Sequence, residues 1–581
     1  MFAQESWDLS DLAPEKSRKW GESQIVHSKE QAKKLASWRS RFVHTISNSD
    51  FLSLLKELET FSLTEATLEC FAQLWFSENT KDPDATAFES ALNRAKAEIA
   101  NELLFFELEF VRFPQRDIER LIAAAPQCNY MLKQIPKRKE HVLPEDHEKL
   151  INLKDTSGID KIHTLYELIT TGFVYRFGGK KMTQSELVQN VHSPDAKVRK
   201  AAYKTLLKSF RENESTLGEI YQSIVHDWHT ENVQLRKYKS AISVRNSVND
   251  IDDAVVETLM RVAEKNQGVF WRYFALKAKL LGSKKLSRFD LYAPIKKPEH
   301  KIPYSEGVKT VLETFAEFSP RFHELAKRLL EKKHVHSLLS PGKYQGAYCY
   351  GPSPKVDPYV LLNYTDDANS VSTLAHELGH AIHYQLASEK HSIFHVHSAL
   401  PVAETASIFC ETVLIEKLKK KYPQLAFSLT FEQLDHLYAS IGRQLEFVRF
   451  EEAAHTLIAK GASTPEIKEL YLGRLKKHFG PHVAVPNDFA NEWNYIPHMH
   501  NTPFYCYAYG FGNLLSLAVY AAYKKQGAPY LAKIISALAA GGSMPPTDIV
   551  KILGFDIADE KFWQAGFGQI STLLDDIETK L

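Results

Sequence analysis

In the stretch Asn369-Ser370-Val371-Ser372-Thr373-Leu374-Ala375-His376-Glu377-Leu378-Gly379-His380-Ala381-Ile382-His383, the apolar residues Val371, Leu374, Leu378 and Ile382 recur at helical spacing. Asn369 or Ser370 can cap the helix they predict. Side chains four apart share one face of a helix, so the imidazoles of His376 and His380 can meet one ion at about 2.1 Å. Glu377 stands about 100° around the helix from His376. There a carboxylate lies beside the ion rather than under it and can take a proton from metal-bound water. Gly379 keeps the helix surface low, which suits close approach of another stretch of chain. A catalytic zinc takes three protein ligands and keeps one position open. Position 386, where a third histidine would complete a metzincin pattern, is Leu386. His383 shares the face of His376 and His380 but lies a full turn further along, and reads as a hydrogen-bonding neighbour rather than a ligand. The better third ligand is in Pro401-Val402-Ala403-Glu404-Thr405-Ala406-Ser407-Ile408-Phe409-Cys410-Glu411, which reads as a second, largely apolar helix opened by proline. Glu404 and Glu411 are seven apart and fall within about 20° of each other. Two carboxylates on an apolar helix are costly to bury unless a cation or a donor meets them. Glu404 on the metal, with Glu411 orienting a ligand imidazole, satisfies both.

Outward from this motif the chain is ordinary. Its 581 residues suffice for one large core or two to three smaller ones, and 44% hydrophobic with 25% charged residues is typical of a soluble globular protein. A formal charge of +1 points away from a nucleic-acid or anionic-membrane partner. The run Lys417, Lys419, Lys420, Lys421 reads as a solvated helix end. No basic-then-apolar leader opens the sequence, and no run of about 18 apolar residues suggests a membrane span. Five scattered cysteines form neither a disulfide framework nor a CxxC zinc pattern, so a cytoplasmic location is expected. Most of the chain has helical periodicity, notably from Ser193-Pro194-Asp195 onward and through 250–282, 305–331, 430–460 and 512–540. Strand signals are few: a hairpin within 172–179, and strands at Gly346-Ala347-Tyr348-Cys349-Tyr350 and Tyr359-Val360-Leu361-Leu362-Asn363-Tyr364. The expectation is a mainly α fold with a small sheet just before the motif helix. It divides softly at 180–195 into an N-terminal helical part, 1–190, and a catalytic part, 191–581.

The octet HELGHAIH at 376–383, preceded by Tyr359–Thr365 and followed 24 residues after His380 by Glu404 of Val402-Ala403-Glu404-Thr405-Ala406-Ser407, resembles the oligoendopeptidase F branch of the thimet oligopeptidase-like (M3) family of zinc metallopeptidases. The likeness spans nearly the whole chain. It includes Trp7-Asp8-Leu9-Ser10-Asp11-Leu12, residues 195–203, Asp290-Leu291-Tyr292-Ala293-Pro294, Ile496-Pro497-His498 and Phe504-Tyr505-Cys506-Tyr507-Ala508-Tyr509. The resemblance implies a two-lobed, zincin-like helical molecule with a deep substrate channel and one Zn2+ per chain on its floor. Its substrates would be short unstructured oligopeptides, cut at internal bonds. His376, His380 and Glu404 match the family's ligands and Glu377 its general base. His498, with Tyr505, Tyr507 and Tyr509, matches donors to the oxyanion formed when water attacks the carbonyl. Gly510 and Gly512 suggest a tyrosine-bearing loop that closes over substrate. The segment is one residue longer than the family's pattern and adds His500, so the choice between His498 and His500 as donor, and the tyrosine register, stay open. Gly346, Ala347 and Tyr348 match a substrate-lining strand, whose free edge would pair with an extended peptide. Two other readings remain: an exopeptidase of the same family, such as a dipeptidyl carboxypeptidase, or a peptide-binding scaffold with a structural zinc. The first needs a residue that anchors a peptide terminus. The second sits badly with the intact Glu377 and ligand set.

Overall fold

Two of the long helical runs expected from the sequence are broken where a capping side chain with a proline, or a left-handed glycine, interrupts the apolar periodicity. The structure, a computed structural model, describes residues 2–295 and 300–581. The run expected over 305–331 becomes Tyr304–Phe318 and Pro320–Glu331, because Ser319 turns extended and caps the second helix ahead of Pro320. The run over 512–540 becomes Tyr507–Gln526 and Ala528–Leu538, parted at Gly527 with φ of 67°. Likewise 250–282 divides into Asp253–Lys265 and Gln267–Leu280. The run over 430–460 divides into Ala426–Leu437 and Arg443–Ile458, with a wide π turn between them. Asp195 caps the helix Ala196–Glu212, its carboxylate accepting the Lys197 N–H at 2.8 Å.

The hairpin lies slightly later than its sequence signal. Tyr175–Phe177 pairs antiparallel with Lys180–Met182, and Gly178 and Gly179, both at positive φ, form the two-residue turn. A second sheet has three strands. Tyr359–Leu361 runs at its centre, parallel to Val335–His336 on one side and antiparallel to Tyr348–Tyr350 on the other. Both expected strands are present, and Tyr348–Tyr350 is an edge strand. The third strand, only two residues long, is too short to leave a period in the sequence.

The described residues gather into two compact units. One comprises Met1–Val142, His300–Leu418 and Val519–Phe555; the other comprises Leu143–Glu299, Lys419–Ala518 and Asp556–Leu581. Residue 190, the expected boundary, falls inside the second. In the first unit, Trp7, Phe71, Trp75, Phe88, Tyr359 and Leu361 bury one face of the three-stranded sheet against the helices Arg18–Ala36, Asn48–Glu78 and Pro83–Leu103. The motif helix, Ala368–Ser388, packs on strands Tyr348–Tyr350 and Tyr359–Leu361 and on helices Tyr304–Phe318 and Pro320–Glu331. A helix enclosed on these sides is apolar nearly all round, which is why 15 of its 21 residues are buried. The second unit has a buried ion pair at its core, Arg288 with Glu492, and Tyr471 donates to the same carboxylate. Lysines 419, 420 and 421 occupy the last turn of Thr405–Lys421, where cations complement the carbonyl end. All five cysteines are free thiols. Among the described residues no helix is long and apolar enough to cross a membrane.

Candidate metal centre

The motif helix begins two residues before the expected caps. Asp367 accepts the Ser370 N–H at 2.8 Å, so Asn369 and Ser370 lie within the first turn. From this helix His376 and His380 project to one side, their ring centroids 4.9 Å apart. Glu404 reaches them from a break rather than from a helix face. The segment expected as one helix is a short turn, Leu400–Ala403, followed by Thr405–Lys421, and Glu404 is the joint between them. Its Oε2 lies 3.4 Å from His376 Nε2 and 3.3 Å from His380 Nε2. Tetrahedral ligands about 2.1 Å from an ion stand about 3.4 Å from one another. Nε2 of both histidines and the Glu404 carboxylate all lie within 4.8 Å, so this donor set fits one divalent cation.

Neighbours hold each donor in place. Glu411 Oε2 lies 3.2 Å from His376 Nδ1, which turns Nε2 toward Glu404, and Ser372 donates to Glu411 Oε1 at 3.3 Å. Ser407 donates to Glu404 Oε2 at 2.8 Å. His383 is buried, and its hydrogen bond to the Ala403 carbonyl ties the motif helix to the turn that ends at Glu404. Burial, with His380 beside it, lowers the His383 imidazole to about 4, so the ring is neutral near pH 7. Burial opposes the charge on Glu404, yet hydrogen bonds from His376 and His380 outweigh it and hold the carboxyl well below the usual range. Burial likewise disfavours a charged His376, but Glu404 and Glu411 raise it well above an ordinary imidazole. A divalent ion among these atoms would displace the shared protons, as metal binding to such ligands does.

Glu377 is buried beside the ligands, and its Oε2 has no hydrogen-bond partner. Burial raises its carboxyl above the usual range, against the pull of His376 and His380. An orphaned carboxylate oxygen at a metal-fitting site is placed to accept a proton. Cys349, on the edge strand, is the neighbour that sequence reasoning missed: burial and Glu377 raise its thiol well above the usual range and keep it neutral. Ser372 and Ser407 were also missed, although their spacings of four from His376 and three from Glu404 mark both as helix-face neighbours. Ahead of the strand, Gly346 has φ of 95°, and Asn363 pins it by donating to its carbonyl at 2.9 Å. Ala347 follows, and Tyr348 opens the half-buried edge strand.

The second unit places the C-terminal candidates. Tyr509 hydroxyl lies 3.3 Å from His498 Nε2, and the Tyr505 ring stacks 5.7 Å from that of His498. Burial and Arg443 lower His498, leaving it neutral. Tyr507 and His500, also expected to face substrate, stand elsewhere in the unit. Tyr507 is fully buried, and its hydroxyl accepts from Asn249 at 2.7 Å. His500 is fully buried too, stacked 4.0 Å from Tyr166. Tyr505 and Tyr509 are four apart and share one side, whereas Tyr507, two residues from each, faces the opposite way. Gly510 and Gly512 lie within helix Tyr507–Gln526 rather than in a loop, and Gly510 lets that helix sit against Leu445.

Residues 190–569 match the model of peptidase family M3. The chain is similar to oligopeptidase PepF of Bacillus subtilis, with 25% identity over 100% of this chain and 88% of that one. It is 26% identical to an oligoendopeptidase F homolog of Borreliella burgdorferi, over 87% of this chain and 86% of the relative. Its fold is similar to the crystal structure of oligoendopeptidase-F from Enterococcus faecium, with a TM-score of 0.72, 19% identity, and coverage of 96% and 99% of the two chains.

A Cβ at Gly379 would lie 2.7 Å from Ser407 Cα and 2.8 Å from the Ala406 carbonyl oxygen, both backbone atoms that cannot swing aside. Gly379→Ala is therefore expected to part the two segments, at a cost of about 1–3 kcal/mol of stability. Metal affinity should fall at least about tenfold, as it does when ligand supports are disturbed. Thermal melting and competition with a chromophoric chelator measure both, and parental values for both would contradict this account of the contact.

Proposed function

This chain belongs to peptidase family M3, as a metallopeptidase of oligopeptides, and on that premise we propose that it cuts internal bonds of short, unstructured peptides with one zinc ion held by His376, His380 and Glu404. The observation that carries this reading is the convergence of those three donors beside the unpartnered Oε2 of Glu377. Two neutral imidazoles and a carboxylate are a donor set that suits zinc. When bound, such an ion polarises the scissile carbonyl and acidifies the attacking water.

Glu377 Oε2 takes the proton from that water as its oxygen adds to the carbonyl carbon. The same carboxyl then returns the proton to the leaving nitrogen as the C–N bond breaks, so atoms and charge balance. Glu411 fixes the tautomer of His376, and His383 holds the Ala403 carbonyl and with it the turn bearing Glu404. His498, Tyr505 and Tyr509 are proposed as donors to the oxyanion, whereas the buried Tyr507 and His500 serve packing. The edge strand Tyr348–Tyr350, led in by Gly346 and Ala347, offers unpaired backbone groups to an extended peptide. Pairing of that kind reads backbone rather than side chains, and so supports broad specificity.

Glu377→Gln is expected to keep metal and fold but to lower kcat by about 10²–10⁴-fold, the usual share of a general base. Hydrolysis of a quenched fluorescent peptide at the parental rate would remove Glu377 from that role. Mass spectrometry of the products should locate cuts at internal bonds; removal of only one or two residues from a terminus would favour an exopeptidase instead. Tyr505→Phe and Tyr509→Phe should slow turnover about tenfold or more, each losing a donor hydroxyl, with Tyr507→Phe altering mainly stability. The reverse ranking would reinstate the alternative tyrosine register.

A further inference from the structure

Between His498 and Tyr505 the chain reverses at Pro503-Phe504. Phe504 does so with φ of 58°, a left-handed conformation that a bulky residue adopts only where its surroundings impose it. Two side chains from other helices of the same unit act on this turn. Glu451 Oε1 accepts the Phe504 N–H at 2.9 Å, and Arg245 Nε donates to the Pro503 carbonyl at 3.2 Å. The Phe504 ring is fully buried, 4.7 Å from the ring of His455. The Thr502 N–H donates to the His498 carbonyl at 2.9 Å, and the Tyr505 N–H to the Thr502 carbonyl at 3.1 Å. This reversal lays Tyr505 beside His498 and starts the helix that carries Tyr509.

Glu451 is an expensive occupant of its position. It is fully buried in helix Arg443–Ile458, and its Oε2 has no hydrogen-bond partner. Burial pushes its carboxyl up to about 8. An apolar side chain of similar size would fill the space without desolvating a carboxyl. What such a side chain lacks is an acceptor for the Phe504 amide. A group that costs stability while imposing a rare backbone conformation beside candidate donors marks a functional constraint.

We propose that Glu451 is a positioning residue, which by gripping the Phe504 amide sets the direction of Tyr505 and the contact of Tyr509 with His498. The inference rests on the reading of those three side chains as oxyanion donors. Glu451 touches no substrate; it acts through the backbone of the residue that precedes Tyr505.

The test compares metal-loaded Glu451→Gln, Glu451→Met and His498→Ala in steady-state cleavage of a quenched fluorescent peptide, with metal content and melting temperature measured on each. Glutamine keeps an acceptor oxygen and should hold kcat within about threefold of the parent, while methionine fills the space without one and should lower kcat about 10²-fold at near-parental KM. The Glu451→Met protein should retain its metal and melt near the parental temperature, relief of the buried carboxyl offsetting the unmet Phe504 N–H. That combination of unimpaired stability and lost turnover is one that a merely structural role does not produce. Parental kcat in Glu451→Met would overturn the proposal. So would an equal loss in Glu451→Gln, or a loss in Glu451→Met matched by a fall in melting temperature or metal content. Slow His498→Ala with fast Glu451→Met would overturn the positioning role alone, whereas fast His498→Ala would remove the donor reading on which it rests.

Discussion

Backbone contact between the motif helix at Gly379 and the chain at Ala406-Ser407 is the constraint on which the centre depends. Glutamate has a short reach, and its carboxylate must come to within hydrogen-bonding distance of two imidazoles at once. A side chain between the two segments would widen the gap by more than that reach allows. The close approach also explains why Glu404 sits at a joint: the chain turns at Ala403-Glu404, so its side chain is not confined to one helix face. His383 and Ser407 then secure the joint from either side, one through the Ala403 carbonyl and the other through the carboxylate itself.

The charges are ordered by the same geometry. Glu377, Glu404 and Glu411 lie close enough that each of the other two raises the carboxyl of Glu377. Glu411 is met by His376 and Ser372, and Glu404 by both imidazoles and Ser407. Glu377 Oε2, buried beside them, is left without a donor. A divalent cation would compensate the clustered negative charge, and the proposed acid–base role falls to the carboxylate that the protein does not otherwise engage. The second unit follows a related rule at Glu451, where a buried carboxyl acts on a backbone amide instead of a metal.

Much of the centre was legible because helical spacing is rigid. A spacing of four from His376 to His380 and of seven from Glu404 to Glu411 leaves little freedom in where the side chains point. Gly379 was legible for the same reason, as a missing side chain on the face next to the histidines. The unbroken helix expected over 401–411 did not hold, because no glycine or second proline marks the joint at Glu404. The burial of Tyr507 and His500 was not legible, because an aromatic-rich segment looks alike from either face, and only the start of the helix at Tyr507 decides which tyrosines share a side. The grip of Glu451 on Phe504 joins residues 53 apart, a separation at which no local pattern survives. The interleaving of the two units, each drawn from three stretches, was invisible for a like reason: contact between distant segments leaves no periodic trace.

The most direct test of the central claim is a zinc titration of the chelator-stripped protein, followed by calorimetry against the same titration of Glu404→Ala. The account predicts one tight site per chain, with affinity lost by at least about tenfold when the carboxylate is removed, since three ligands are then two. Equal zinc affinity in the two proteins, or no stoichiometric binding in either, would contradict it.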